Sequence, residues 1–398
     1  LGMERMTHIQ EECLPLFFSS ECPRHSLILA ETGCGKTLCY LLPLLNCLMN
    51  AKQAKEPGPK ALVLTFSREL TAQVLLDIRR LDPLGALAAV RAGSLSAGGA
   101  EGPPADEKAL YEFAMRGVRN YVDFNKTDIV VSTPTQLRLL FEYGRVRHFS
   151  PALLVVDEAD VVLEKDQNHK KALKYLLGKL PAPPARVMLA AASFDPQSEK
   201  RGFGGHFPQL RVLRSDGYMK PSPSTEHFVV EVEGQSFEEK LNTLAAVLVS
   251  SDWEKFVIFC KANEDVTRVA AFLNEKDIPA VSLSAADTEE KRLKALFLFR
   301  LGQVSVLVTS DAANRGLHFD FDLCVVQFSC ATNATALLHR CGRTGRLGRR
   351  GCVVSFVLQD DLPLLSSFQS LATQQLKVDA ITSRKRSFSK QQKHLKVK

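Results

Sequence analysis

The sequence predicts an open α/β architecture of two domains, each a mostly parallel sheet flanked by helices, joined by a short linker. Three observations carry this. Short apolar runs alternate with helical patterns along most of the chain. Those runs show little polar alternation, which is the pattern of parallel strands covered on both faces. A stretch crowded with Pro, Ser and Gly, RSDGYMKPSPST at 214–225, divides the chain near its middle. A length of 398 residues suits two cores better than one. The expected organisation is a first domain over 1–213, the linker over 214–225, a second domain over 226–380 and a basic tail over 381–398.

In the first half, strands are expected at 26–30, 60–65, 128–132, 152–156 and 186–191. In the second half they are expected at 227–233, 255–260, 279–283, 304–308, 323–328 and 351–357. Val, Ile, Leu and Phe dominate many of these runs. Alternation of strand and helix gives sheets whose ligands bind at the carboxyl ends of the strands. The segment SLSAGGAEGPP at 94–104 is too rich in Gly and Pro for a regular element, and 105–121 reads as a helix. No internal repeat of short period is present.

Composition narrows the class. The longest apolar stretch runs from Leu38 to Met49 and contains Pro43. A membrane span needs roughly 20 residues, so none is expected. Ten scattered cysteines include no CxxC pair, which argues against a structural metal site and for a reduced intracellular protein. The chain opens on Leu1 inside what reads as a motif, so a preceding N-terminal segment is expected. The net charge of +7 comes from the end of the chain, where Arg384, Lys385, Arg386, Lys390, Lys393, Lys396 and Lys398 occur without an acid. Removing these seven from 51 basic residues leaves 44, equal to the 44 acids. Only the tail therefore argues for phosphate partners, and a solvated end is its plain alternative.

Three runs carry chemistry. Ala30-Glu31-Thr32-Gly33-Cys34-Gly35-Lys36-Thr37 joins a strand to a helical pattern. Glycines there let backbone N–H groups curl around phosphates, and the helix N-terminus adds positive potential. Lys36 is placed to reach β and γ phosphates, and the Thr37 hydroxyl to ligate Mg²⁺. Asp157-Glu158-Ala159-Asp160 follows a hydrophobic run. Asp157 is the candidate second magnesium residue, and Glu158 is placed to orient or deprotonate an attacking water. His339-Arg340-Cys341-Gly342-Arg343-Thr344-Gly345-Arg346 is dense in arginine. Arg343 and Arg346, three apart, are expected to share one helical face and to act as arginine fingers toward a γ-phosphate.

In this order, AETGCGKT, DEAD and HRCGRTGR resemble the DEAD-box family of ATP-dependent RNA helicases, within superfamily 2. The similarity runs from Gly2 to about Phe356. It implies two RecA-like domains, ATP and Mg²⁺ as ligands, and hydrolysis that depends on closing the two halves. Thr7-His8-Ile9-Gln10 resembles the adenine-reading motif, with Gln10 at the base edge. Thr32, Gly33, Cys34, Gly35, Lys36 and Thr37 are implied to hold the phosphates, and Gly316 and His318 the ribose. Backbone contacts to RNA, without base reading, are carried over to Arg68, Thr133, Gln136, Arg292 and Ser310. Asp160, Ser193 and His339 take the positions that couple ATP state to strand opening.

The sequence departs from the family at several of these places. The coupling Ser-Ala-Thr reads Ala191-Ala192-Ser193, and the ribose-holding Asp reads His318. Phe66 replaces a Pro, Thr135-Gln136 a Gly-Arg, and Glu289 a Gln. The nucleotide residues are intact, whereas RNA-gripping and coupling positions are eroded. The reading is an RNA-stimulated ATPase that remodels RNA or ribonucleoprotein, with ribosome assembly partners and a mitochondrial or nucleolar location as guesses by analogy. The alternatives are a largely structural ATP-dependent RNA clamp and a DNA translocase on the same scaffold.

Overall fold

The computed structural model describes residues 5–31, 33–53, 60–92, 118–119, 121–181, 183–193, 207, 210–216, 224–311, 313, 319, 321–345, 349–361 and 373–375. The chain divides into two compact units, Leu1–Tyr218 and Met219–Lys398.

The first unit runs α1 (His8–Phe18), β1 (His25–Leu29), α2 (Lys36–Gln53), β2 (Ala61–Leu64), α3 (Arg68–Leu81), β3 (Ala89–Ala92), β4 (Val118–Arg119) and β5 (Val122–Asp123). It continues with β6 (Ile129–Ser132), α4 (Pro134–Glu142), β7 (Val146–Arg147), β8 (Leu153–Val156), a π turn (Val161–Lys165), α5 (Gln167–Gly178), β9 (Arg186–Ala191) and β10 (Arg211–Arg214). Eight strands form one sheet in the order β10-β1-β9-β8-β2-β6-β3-β4. Every pairing in it is parallel.

Alternating side chains enter separate cores on the two faces. In β1, Ile28 packs with Val63, Val131 and Val155, while Leu27 and Leu29 pack with Leu62, Val130 and Leu154 on the other side. This two-sided burial explains why the strands read as unbroken apolar runs. It also sets β1, β9, β8, β2 and β6 side by side with their carboxyl ends at one edge.

The second unit runs β11 (Thr225–Glu231), α6 (Phe237–Ser250), β12 (Phe256–Cys260), α7 (Asn263–Glu275), β13 (Ala280–Leu283), α8 (Glu289–Arg300), β14 (Val306–Ser310), β15 (Cys324–Gln327), α9 (Ala334–Cys341), β16 (Gly351–Val357) and β17 (Thr373–Gln375). Its seven strands lie in the order β13-β14-β12-β15-β16-β11-β17, again all parallel. Ile258 and Val326 face one core, Val257 and Val325 the other.

Several expectations are corrected. Strands β3 and β10 were not anticipated, and β10 takes Arg214 just as β11 takes Thr225, both read as linker. The helix expected over 105–121 is replaced at its end by β4; its earlier part, the loop at 94–104 and the basic tail lie outside the described residues. Strand β14 begins two residues later than expected and therefore includes Ser310. Among the described residues, no helix is long and apolar enough to cross a membrane. All ten cysteines are free thiols.

Candidate functional site

The chain after β1 forms a tight loop before α2 begins at Lys36. Gly33 and Gly35 both sit at φ of +87°, a backbone region that favours glycine. Lys36 Nζ donates to the carbonyls of Ala30 (2.8 Å) and Glu31 (2.7 Å), which places the ammonium at the mouth of the loop. The loop is buttressed from α1. Thr7 Oγ1 donates to Cys34 O at 2.7 Å, and Gln10 Nε2 to Gly35 O at 3.2 Å. Gln10 Oε1 accepts from Thr7 N, closing a capping box at the start of α1. The buried Gln10 thus braces the loop that follows β1. A Cβ on Gly35 would come within 2.4 Å of Gln10 Nε2. Burial raises the Cys34 thiol pKa above its ordinary range, so this cysteine is a small packing group.

Strand β8 delivers the acidic run to the same sheet edge. Asp157 Oδ1 accepts from Glu158 N at 2.9 Å, and Oδ2 accepts from the Tyr40 hydroxyl at 2.7 Å. Burial raises the Asp157 pKa, against the opposing effect of these two donors and of Lys36. Tyr40 is fully buried and lies one turn beyond Thr37 on α2. Its pKa is raised well above the ordinary phenol value by burial and by Asp157. Sequence reading misses this tyrosine, whose only signal is a hydroxyl within the apolar run at 38–45.

The Thr37 hydroxyl and the Asp157 carboxylate are hard oxygen donors suited to Mg²⁺, which typically takes one or two protein oxygens with phosphates and waters. A cation there would relieve the desolvation that now raises Asp157. These residues fit the ion. Among the described residues, no group of three or more His, Cys, Asp or Glu side chains forms a metal cage, in keeping with that mode.

Glu158 has φ of +49°, the left-handed region that non-glycine residues rarely occupy. Strain of this kind concentrates at functional positions. Asp160 is fully buried, and its Oδ2 accepts from Ser193 Oγ at 3.0 Å, joining the acidic run to the residue two beyond β9.

In the first unit the expected RNA residues follow the ends of the adjacent strands β2 and β6. Ser67 caps α3 by accepting from Leu70 N, leaving Arg68 as its first residue. Thr133 caps α4. Gln136 is buried, and its Oε1 accepts from Thr133 Oγ1, so it also completes the cap of α4. In the second unit Ser310 Oγ donates to Asn263 Oδ1 at 3.1 Å. Arg292 Nη1 points back to the carbonyls of Ala285 and Asp287 ahead of α8.

The arginine-rich run differs from its expected geometry. Helix α9 ends at Cys341, with Gly342 as its cap, and Gly345 takes φ of +64°. Arg343 therefore lies in a turn beyond α9 rather than on the helix expected to carry it. His339 is half-buried in the last turn of α9. Arg340, unassigned from sequence, is the anchor of this region. It makes a bidentate pair with Asp311 (2.6 and 2.8 Å) and donates to Gln327 Oε1 and Ser329 O. Thr32, Gly316, His318 and Arg346 lie outside the described residues.

The first unit can hold a nucleotide triphosphate on backbone amides, Lys36 and a magnesium-compatible oxygen pair, with Glu158 supplying a carboxylate for the attacking water. The DEAD/DEAH box helicase family model matches residues 7–201, and the helicase conserved C-terminal domain model matches 239–348. DEAD-box ATP-dependent RNA helicase 28 of Oryza sativa subsp. japonica is 29% identical over 382 residues, covering 95% of this chain and 44% of that protein. Probable ATP-dependent RNA helicase DDX47 of Mus musculus is 29% identical over 387 residues, covering 95% and 76% respectively. The chain thus spans from under half to about three quarters of these relatives' lengths. Among solved structures, S. cerevisiae Dbp5 bound to RNA and ADP BeF3 matches with a TM-score of 0.77 at 20% identity, over 97% of this chain and 94% of that one. DEAD-box helicase Mss116 bound to ssRNA and UDP-BeF matches at 0.72 and 21%, over 94% and 76%. Two all-parallel α/β units of this similarity are RecA-like, and the chain belongs to the DEAD-box helicase family.

Proposed function

We propose that this chain is an RNA-stimulated ATPase that remodels RNA or ribonucleoprotein, using ATP with Mg²⁺. The observation that carries the reading is the Lys36–Tyr40–Asp157–Glu158 arrangement at the edge where β1 and β8 end. Lys36 and the loop amides bind the phosphates. Thr37 and Asp157 hold the ion, which would neutralise charge on the transferring phosphoryl group. Glu158 takes a proton from the attacking water, and Arg343 and Arg346 are assigned to the charge that builds on that group. Arg68 and Thr133 in the first unit, and Arg292 and Ser310 in the second, are assigned to the RNA backbone. Dbp5 and Mss116 were each solved bound to RNA and a nucleotide analogue, which supports the same ligand pair here. The test is nucleotide-dependent RNA binding, read by anisotropy of a labelled single strand. Tight binding of RNA with ADP–beryllium fluoride, weak binding with ADP, and poor competition by DNA of equal length are expected. Equal binding in both nucleotide states would overturn the reading.

A further inference from the structure

Asp160 has a partner that the family pattern does not predict. Its Oδ2 accepts from Lys165 Nζ at 2.5 Å as well as from Ser193 Oγ, and Lys165 Nζ also lies 3.2 Å from Ser193 Oγ. The three side chains form a closed triangle over a carboxylate with no solvent exposure. The backbone is built for it. On a regular α-helix the neighbours of a residue stand three and four positions on. Here the chain opens into a π turn, with Asp166 N bonded to Val161 O at 2.9 Å, and the wider turn brings the fifth residue back over Asp160.

The position of this lysine meets a specific deficit. Ala191 lacks the hydroxyl that the family pattern places at the end of β9, and it is fully buried. Lys165 supplies a charged donor to the same carboxylate and to the surviving hydroxyl of Ser193, where a charge-assisted bond is stronger than a neutral one. A second departure meets the same segment. The Phe66 ring, which stands before Ser67-Arg68, lies 5.2 Å from the His169 ring, and His169 Nδ1 is 3.1 Å from Asp166, the cap of α5. Residues 160–169 therefore touch the coupling network at one end and the RNA-side loop at the other.

We propose that Lys165 is a positioning residue that replaces the lost hydroxyl of the coupling motif, holding the end of β9 on the acidic turn so that RNA engagement changes hydrolysis. This rests on the RNA-stimulated ATPase reading. The experiment compares the full chain with Lys165→Met, Lys165→Arg and Lys165→Met/Ala191→Ser. ATP turnover is measured with and without poly(U) RNA, and amide hydrogen exchange over 157–166 and 190–193. In Lys165→Met, RNA-saturated turnover should fall by about tenfold, as loss of a charged hydrogen bond allows, while RNA-free turnover stays within about twofold. Exchange at 190–193 should quicken. Lys165→Arg, and Ala191→Ser added to Lys165→Met, should restore both. Parallel loss of RNA-free and RNA-saturated turnover, unchanged turnover and exchange, or failure of Ala191→Ser to rescue would overturn the proposal. A wild-type chain that RNA does not stimulate would instead overturn the functional reading. The exchange data would then decide alone whether Lys165 holds β9, with unchanged exchange refuting it.

Discussion

The Tyr40 hydroxyl donates a 2.7 Å hydrogen bond to Asp157 Oδ2 inside the first unit, linking the helix that follows the phosphate loop to the first carboxylate of the acidic run. Tyr40→Phe keeps the packing and removes that donor. Hydrogen bonds to charged groups contribute about 1.5–3 kcal/mol, so magnesium-dependent nucleotide affinity should fall about tenfold or more. Titration of a fluorescent ADP with and without Mg²⁺ checks this, and the loss should be confined to the Mg²⁺ series.

Asp157 also sets a pH dependence. Its folded pKa lies above the ordinary 3.8, so the native state without cation binds this proton more tightly than the unfolded chain. That contribution to stability is present below 3.8 and is lost as pH rises through the raised value. Asp157→Asn should flatten this part of the stability profile, measured by thermal unfolding in buffers without divalent cations. Because the cation needs the ionised form, Mg²⁺-dependent nucleotide binding should weaken on acidification at a higher pH than an ordinary carboxylate would give.

Gly35→Ala should disable the phosphate loop. The new methyl meets Gln10 Nε2, and the φ of +87° suits glycine alone. Left-handed strain costs about 1–3 kcal/mol. Nucleotide affinity should fall at least about tenfold as the loop amides move off the phosphates. Calorimetric titration of Gly35→Ala with nucleotide checks this.

Arg340 is predicted to be a stability residue of the second unit. Its guanidinium is 1% exposed and pairs with Asp311, and it also lies over the Phe259 ring. Asp311 is 34% exposed, so its loss of a partner is partly met by water; hydrogen bonds to charged groups contribute about 1.5–3 kcal/mol, and Arg340→Met should lower the unfolding free energy of this unit by about that much, read as an earlier denaturant midpoint at unchanged slope. Phosphate-loop binding of nucleotide by the first unit should persist.

His227, in β11, is buried, and burial lowers its pKa from 6.5 to about 4. The native state therefore resists this proton. Stability is complete above pH 6.5 and declines as pH falls toward 4, by about 3 kcal/mol in all. His227→Leu should flatten the decline between pH 7 and pH 5 in thermal unfolding of the full chain.

What the sequence made legible follows from where information is local. β1, β2, β6, β8 and β9 read as strands because both faces are buried and, apart from His25 and Arg186 at two strand starts, every residue is apolar or small. β10 was missed because it is an edge strand flanked by Arg211 and Arg214, and β3 because Arg91 interrupts its apolar run. The loop before α2 and the acidic run are each contiguous, so their residues could be picked out together as candidates. Tyr40 could not, since it meets Asp157 across 117 positions. Arg340 reaches Asp311 across 29. Lys165 lies only five residues from Asp160, but regular helical spacing would turn it away, and only the π turn brings it back.

The central claim is that Glu158, on its left-handed backbone beside Asp157, activates water for hydrolysis that RNA accelerates. The measurement is steady-state phosphate release from ATP with and without saturating single-stranded RNA, for the wild-type chain beside Glu158→Gln. RNA should stimulate the wild type, and Glu158→Gln should bind nucleotide normally but lose turnover by about 10² or more. Turnover indifferent to RNA, or surviving intact in Glu158→Gln, would contradict it.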